Sequence, residues 1–169
     1  VIIDFRYNGG GSLSMTRYIN NLALGKRATG EISYALRHNE NLAEEFDRTY
    51  LFEDLEYSMD LEQVIFLTTS TTKSASEAVI NGLIPHTDVK LVGSATSGKP
   101  VGTKNYEFCE QYLSPITFTL ENSEANANYY DGFPVDCEVE DDLLHQFGDP
   151  EEGMLAAALA IAGGGSCPG

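Results

Sequence analysis

An α/β fold, with right-handed crossovers on a parallel sheet and extra strands in the C-terminal half, is what this sequence predicts. Three observations carry that expectation. Residues 1–5, 63–68 and 89–92 are short apolar runs of the kind found in strands covered on both faces. Segments with helical spacing or helix caps separate them. Beyond residue 100 the texture shifts to aromatic and β-branched residues, which favour pleated strands.

Taken in order, Val1-Ile2-Ile3-Asp4-Phe5 reads as a buried strand that ends at the turn Asn8-Gly9-Gly10-Gly11. Its opening inside an apolar run, without Met, looks like a strand cut from a longer polypeptide. Met15, Tyr18, Ile19 and Leu22 then fall at helical spacing, with Ser12 or Ser14 as cap and Gly25 as stop. Residues 32–36 are a short strand, and residues 41–54 an acidic surface excursion, partly helical. Residues 63–68 form the second buried strand, residues 74–83 a helix ended by Pro85, and residues 89–92 the third strand. Residues 101–108 and 114–120 read as paired strands, and Asp131-Gly132-Phe133-Pro134-Val135 as a turn into another extended segment. Asp149-Pro150-Glu151-Glu152 caps a last helix over residues 154–161, with Pro in the first turn and acidic residues at the positive dipole end. The glycine-rich tail, residues 163–169, should fray.

At 169 residues the chain is one domain with room for a hydrophobic core. Its 42% hydrophobic content and mean hydropathy of −0.20 fit a folded globular protein. No apolar run reaches the roughly 20 residues of a membrane span, so no membrane insertion is expected. A net charge of −16 argues against nucleic acid or anionic membrane as partner. Cys109, Cys137 and Cys167 lack metal-ligand spacing. A Cys109–Cys137 disulfide and three free thiols are equally compatible with the sequence.

Ser74 and Lys99 are the candidate reactive pair. Ser74-x-x-Glu77 has the spacing of a helix capping box, a purely structural role that fits these residues. The same placement suits an acyl-transfer nucleophile, because amides at a helix start face developing negative charge and Ala75 N–H becomes an oxyanion donor. Lys99 stands in a Thr/Ser/Gly-rich turn after a buried strand, where parallel sheets place ligand sites. Buried there, it would have its pKa lowered from about 10.4 towards neutrality and could take the serine proton. The Gly9-Gly10-Gly11 turn is either a tight connection or the source of a second oxyanion donor. Gly93-Ser94-Ala95-Thr96-Ser97-Gly98-Lys99 imitates a phosphate-binding loop, but Pro100 replaces the magnesium-binding hydroxyl and no long helix follows. His38, His86 and His145 sit in no triad motif. No metal and no cofactor are expected.

Together, Asp4-Phe5-Arg6-Tyr7-Asn8-Gly9-Gly10-Gly11, Ser74-Ala75-Ser76-Glu77 and Thr96-Ser97-Gly98-Lys99 resemble the C-terminal processing peptidases, or tail-specific proteases. Those proteins carry D-L-R-x-N-x-G-G, S-A-S-E and T-x-G-K blocks in that order. The resemblance covers residues 1–103 well. It implies a crotonase-like (Clp-protease-like) spiral core and a single catalytic core domain over residues 1–169. It also implies a serine endopeptidase acting on protein C-terminal regions through an acyl-enzyme. Ser74 would be nucleophile, Lys99 general base, Gly10 and Ala75 the oxyanion hole, and Glu77 and Thr96 supports. Members act in the periplasm, outside the cell or in the thylakoid lumen, and many recognise substrate tails with a PDZ module, which is not visible in these residues. The sequence departs from some members at Thr103, where they have Gln, at Pro85 and Asp88, where others have an aspartate, and at Pro100. The alternative that the resemblance implies is a catalytically silent relative that binds a peptide or an apolar ligand.

Overall fold

In the computed structural model, which describes residues 1–168, β1 (Ile2–Asp4) leads into α1 (Leu13–Ala28), β2 (Ile32–His38), α2 (Glu40–Phe46) and β3 (Arg48–Leu51). Next come β4 (Gln63–Thr68), α3 (Ala75–Leu83) and β5 (Asp88–Gly93). The strands β6 (Val101–Thr103), β7 (Tyr106–Phe108), β8 (Gln111–Leu113), β9 (Ile116–Glu121) and β10 (Cys137–Glu138) precede α4 (Gly153–Ala162).

The three apolar runs become neighbours. Strands β1, β4, β5 and β10 form a parallel sheet in that order, in register at Ile2↔Ile65 and Leu67↔Val92. Successive strand residues point to opposite faces, so Val64 and Phe66 join Leu24, Val79 and Leu83 on one side. Ile65 and Leu67 join Val92, Met154 and Ala157 on the other. Helices on both faces explain why these strands are uninterrupted apolar runs, and each buried Leu, Ile or Phe contributes about 1.5–3 kcal/mol.

A second, antiparallel sheet has the order β3-β2-β9-β6. Its Tyr34 and Leu120 pack on Ala78, so α3 is gripped between two sheets and all nine of its residues are buried.

Several expectations are corrected. Met15 and Tyr18 are 55% and 48% exposed; α1 instead buries Thr16, Asn20, Asn21, Ala23, Leu24, Gly25 and Ala28. The reason is close approach: a Cβ on Gly25 would lie 2.2 Å from Glu53 O, so this glycine is a contact within the helix and not its stop. The buried amides are held by single bonds, Asn20 Nδ2 donating to Ser33 Oγ at 2.9 Å and Asn21 Oδ1 accepting from Glu53 N at 3.1 Å, while Asn20 Oδ1 has no partner among the described residues. The excursion after β2 holds α2 and also β3, which pairs with β2. Strand β6 pairs with β9 as expected, but β7 and β8 fold on each other as a separate hairpin. Pro150 lies two residues before the cap of α4, which is Glu152, accepting from Met154 N at 3.2 Å and Leu155 N at 2.9 Å. Neither cysteine arrangement occurs: Cys137 is bonded to Cys167 and Cys109 is a free, exposed thiol. That bond pins the tail expected to fray, although Gly169 lies outside the described residues. Among the described residues no helix is long and apolar enough to cross a membrane.

Candidate active site

The carboxyl ends of β1, β4 and β5 lie side by side, and the loops leaving them carry Gly9–Gly11, Ser74 and Lys99 in turn. Parallel strands point all their outgoing loops to one edge, which is where such sheets form sites. Thr72 stitches these loops: its Oγ1 donates to Phe5 O at 2.8 Å, and its carbonyl accepts from Ser97 N at 2.9 Å. Asn8 O accepts from Lys73 N at 3.2 Å and from Ser76 Oγ at 3.3 Å.

Ser74 stands at the start of α3 with φ +60° and ψ −118°. A non-glycine residue in this region stores about 1–3 kcal/mol, which the surrounding bonds must hold. Such a sharp strand-to-helix turn lifts a serine hydroxyl clear of its neighbours. Nothing in the local sequence signals it, because serine carries no mark of a positive φ. The reaching-back half of the expected capping box is present, with Ser74 N donating to Glu77 Oε2 at 2.8 Å.

Glu77 does more than cap. Its Oε2 also accepts from Lys99 N at 2.8 Å, while Oε1 accepts from Thr96 Oγ1 at 2.7 Å and Gly98 N at 2.6 Å. Four donors therefore surround a carboxylate that is fully buried, which is the condition for keeping a charge away from water. Thr96 Oγ1 in turn accepts from Phe133 N at 2.8 Å. A Cβ on Gly132 would lie 2.0 Å from Thr96 O, so only glycine lets that turn clamp the lysine loop.

Ser74 and Lys99 line one cleft of about 280 Å3, together with Gly11, Val101, Phe118 and Leu120. Ser74 is half-buried, but Lys99 is exposed, contrary to the expected burial of its amine. Its side chain is a solvent-exposed part of the cleft lining, two residues before β6 begins. Thr103 lines the same cleft. Asp88 is at the opposite end of β5, paired with Gln63 and Lys90, and takes no part.

Gly10 is pressed against the serine. A Cβ there would sit 2.7 Å from Ser74 Cβ and 3.0 Å from Ala75 N, and its φ is +97°. Its N–H donates to Asn8 Oδ1 at 3.0 Å. Ala75 N–H has no acceptor among the described residues. Beside these two residues is a smaller pocket of about 80 Å3, lined by Phe5, Met15, Ile19 and Val79.

None of the histidines lines the cleft. His38 pairs with Asp47, His86 with Ile32 O, and His145 with Asp142. The phosphate-loop imitation leads into a strand, not a helix. Arg6, which the sequence did not single out, is buried and bonded to Asp4 at 2.7 Å and Glu152 at 2.9 Å, tying the end of β1 to the cap of α4.

Comparison with known proteins places these observations. The sequence profile of peptidase family S41 matches residues 1–128. A protein from Bacteroides fragilis NCTC 9343 classed as an S41 protease superposes with a TM-score of 0.87 at 30% identity, covering 96% of this chain and 44% of its own length. The photosystem II D1 C-terminal processing protease aligns with a TM-score of 0.63 at 16% identity, over 82% of this chain and 34% of its own. A lipoprotein from Streptococcus agalactiae aligns with a TM-score of 0.59 at 15% identity, over 82% and 49%. No curated protein matches the chain.

Proposed function

This chain belongs to peptidase family S41, and on that premise we propose that it is a serine peptidase in which Ser74 is the nucleophile and Lys99 the general base. The chain spans 44% of the length of its Bacteroides fragilis neighbour, and we read it as a catalytic core with a crotonase-like spiral. One observation carries the reading: a single buried oxygen, Glu77 Oε2, takes the amides of both Ser74 and Lys99 on the wall of one cleft.

In this mechanism neutral Lys99 Nζ accepts the proton of Ser74 Oγ as the oxygen attacks a peptide carbonyl. The C–N bond breaks, the lysine proton passes to the departing amine, and an ester remains on Ser74. Lys99 then takes a proton from water, whose oxygen attacks the ester carbonyl, and hands that proton to Ser74 Oγ as the ester C–O bond breaks, regenerating the hydroxyl and the neutral amine. Ala75 N–H is ready to bind the oxyanion. Gly10 N–H joins it once it leaves Asn8 Oδ1, and each donor contributes about 3 kcal/mol. A polypeptide laid in the cleft covers the exposed amine and supplies the desolvation that the free protein lacks.

Substrates are C-terminal regions of proteins, by analogy with the D1 processing protease. The Cys137–Cys167 bond suits the periplasm or the outside of a cell, since disulfides persist in oxidising compartments. The exposed Lys99 and the engaged Gly10 amide favour one second reading, a silent relative that binds peptide without cleaving it.

Incubation with β-casein, an unstructured protein, separates the two. Wild type cleaves it with a rate that rises from about pH 6 to about pH 10, and Ser74→Ala and Lys99→Ala do not cleave. Cleavage that survives Ser74→Ala contradicts the mechanism; binding without cleavage by any form supports the silent relative.

A further inference from the structure

Leu13, the first residue of α1, is a wall shared by two cavities. One is the cleft of Ser74 and Lys99. The other is a pocket of about 320 Å3 that no step of the mechanism uses, lined by Arg17 and Asn21 of α1, Tyr34 of β2, Tyr50 of β3, and Leu55. A single apolar cluster joins them, since Leu13, Tyr50 and the cleft residue Phe118 all pack on Tyr34, Ala78 and Leu120. The small pocket beside Gly10 and Ala75 is separate and shares no lining residue with this one.

The chemistry of the pocket is aromatic with one spare donor. Tyr34 and Tyr50 stack with ring centroids 4.8 Å apart. The Tyr34 hydroxyl is already used, donating to Leu13 O at 2.9 Å, so the pair offers rings rather than hydroxyls as a floor. Arg17 lies over the Tyr50 ring at 5.6 Å and is paired with Glu53, so the rim carries no free charge that would select an acid or a base. Asn21 is 2% exposed, and its Oδ1 accepts from Glu53 N, while its Nδ2 has no acceptor among the described residues. A buried amide with an unused N–H calls for an acceptor. A phenol satisfies both features: its ring stacks on aromatic rings, and its oxygen accepts.

We propose that this pocket is a specificity site for an aromatic side chain of the substrate, tyrosine ahead of phenylalanine, at a distance from the scissile bond. The ring lies on Tyr34 and Tyr50, and the phenol oxygen accepts from Asn21 Nδ2. This deepens the peptidase reading, on which it rests, by naming a sequence preference. The helical rise puts Arg17 and Asn21 about 6 and 12 Å beyond Leu13. A peptide crossing Leu13 from the cleft covers that span in about two to four extended residues.

The test uses the protein with a ten-residue β-casein peptide spanning its most rapidly cleaved bond, or the tightest binder of an overlapping panel if none is cleaved. Each residue outside any scissile pair is replaced in turn by Tyr, Phe and Ala. Cleavage by wild type gives kcat/KM, and binding to the Ser74→Ala variant, by fluorescence anisotropy, gives Kd. The expected result is one position where Tyr exceeds Ala by about tenfold or more in both, the scale of one buried, stacked ring, with Phe between them. Two changes to the pocket then abolish that preference. Ser14→Trp fills it from an exposed position on its rim, and Tyr50→Ala removes half of its floor. In each, made also on the Ser74→Ala background for binding, the Tyr-to-Ala ratio falls below about threefold; if one variant does not fold, the other decides. The absence of any such position overturns the proposal, as does Phe at or above Tyr, or a ratio unchanged in the folded variants. Cleavage without the preference leaves the peptidase reading standing. A preference in binding that the pocket variants abolish, without cleavage by wild type, keeps the pocket and overturns the peptidase reading.

Discussion

The backbone amides of Ser74 and Lys99 donate to the same oxygen, Glu77 Oε2, each at 2.8 Å. A residue at the start of α3 and one in the loop after β5 are thus held together by one carboxylate rather than by chance packing. The other oxygen secures Thr96 and Gly98 in the same way.

Glu77→Gln sets an amide NH2 against two of those four donors. Burying mismatched donors costs about 2–4 kcal/mol, so the melting temperature falls and kcat drops with it, because both loops lose their tether. Thermal denaturation and peptidase assay of the folded fraction check this. Unchanged activity in the folded variant would mean that Glu77 only caps the helix.

Gly10→Ala forces a methyl to within 2.7 Å of Ser74 Cβ at a φ of +97°. Loss of at least about a hundredfold in kcat/KM is expected, the scale of one lost oxyanion donor. In wild type trapped with a peptide boronate, Gly10 N–H leaves Asn8 Oδ1 for the boronate oxygen. A crystal structure of that adduct with the Asn8 bond still at 3.0 Å would exclude Gly10 as a donor.

Arg6→Met strands the fully buried Glu152 carboxylate without its cation. Removal of one partner of a buried pair costs about 3–5 kcal/mol, and the double variant Arg6→Met/Glu152→Gln recovers part of it. Urea unfolding of the two variants reads the difference.

Cys167→Ser opens the link from Cys137, across a separation of 30 residues. Loop-closure entropy puts its contribution at about 2–4 kcal/mol. A thiol reagent titrates one fast cysteine per native wild-type chain, the exposed Cys109. The variant unfolds at a lower urea concentration, and its second free thiol, the buried Cys137, reacts only as the chain unfolds.

The His145–Asp142 pair responds to pH from both sides. The hydrogen bond to Asp142, and then its charge, raise the His145 pKa above the ordinary value. Bonds from Leu144 N–H and His145 hold Asp142 down at about 2. The raised histidine stabilises the fold below its ordinary pKa of about 6.5, and that contribution fades as pH climbs through the raised value. The depressed aspartate contributes above about 3.9 and fades as pH falls towards 2. NMR titration should place the His145 midpoint above 6.5, and Asp142→Asn should bring it down. No movement in Asp142→Asn would dissolve the pair.

The parallel sheet was legible because a strand buried on both faces lacks alternating polar positions, and Val64 to Leu67 declares that directly. Strand β3 was hidden, since at an exposed edge Arg48 and Thr49 look like any surface loop. The face of α1 was misjudged because its contact surface is built from Asn20, Asn21 and Gly25, whose burial depends on tertiary partners. Ser74, Lys99, Glu77 and Thr96 could be named from their blocks. The bonding of Ser74, Thr96, Gly98 and Lys99 to the one Glu77 carboxylate, the positive φ of Ser74 and the engaged amide of Gly10 could not, because each depends on where a distant loop arrives. The exposure of Lys99 is of the same kind, since it depends on the tertiary surroundings of its loop.

The most direct test of Ser74 and Lys99 as one catalytic unit is a double-mutant cycle on kcat/KM with wild type, Ser74→Ala, Lys99→Ala and both changes together. Groups that act as a unit are strongly non-additive. Each single variant should lose about as much as the double variant, with no further fall when the second residue goes. Losses that multiply, or cleavage that persists with alanine at position 74, would contradict a shared proton transfer.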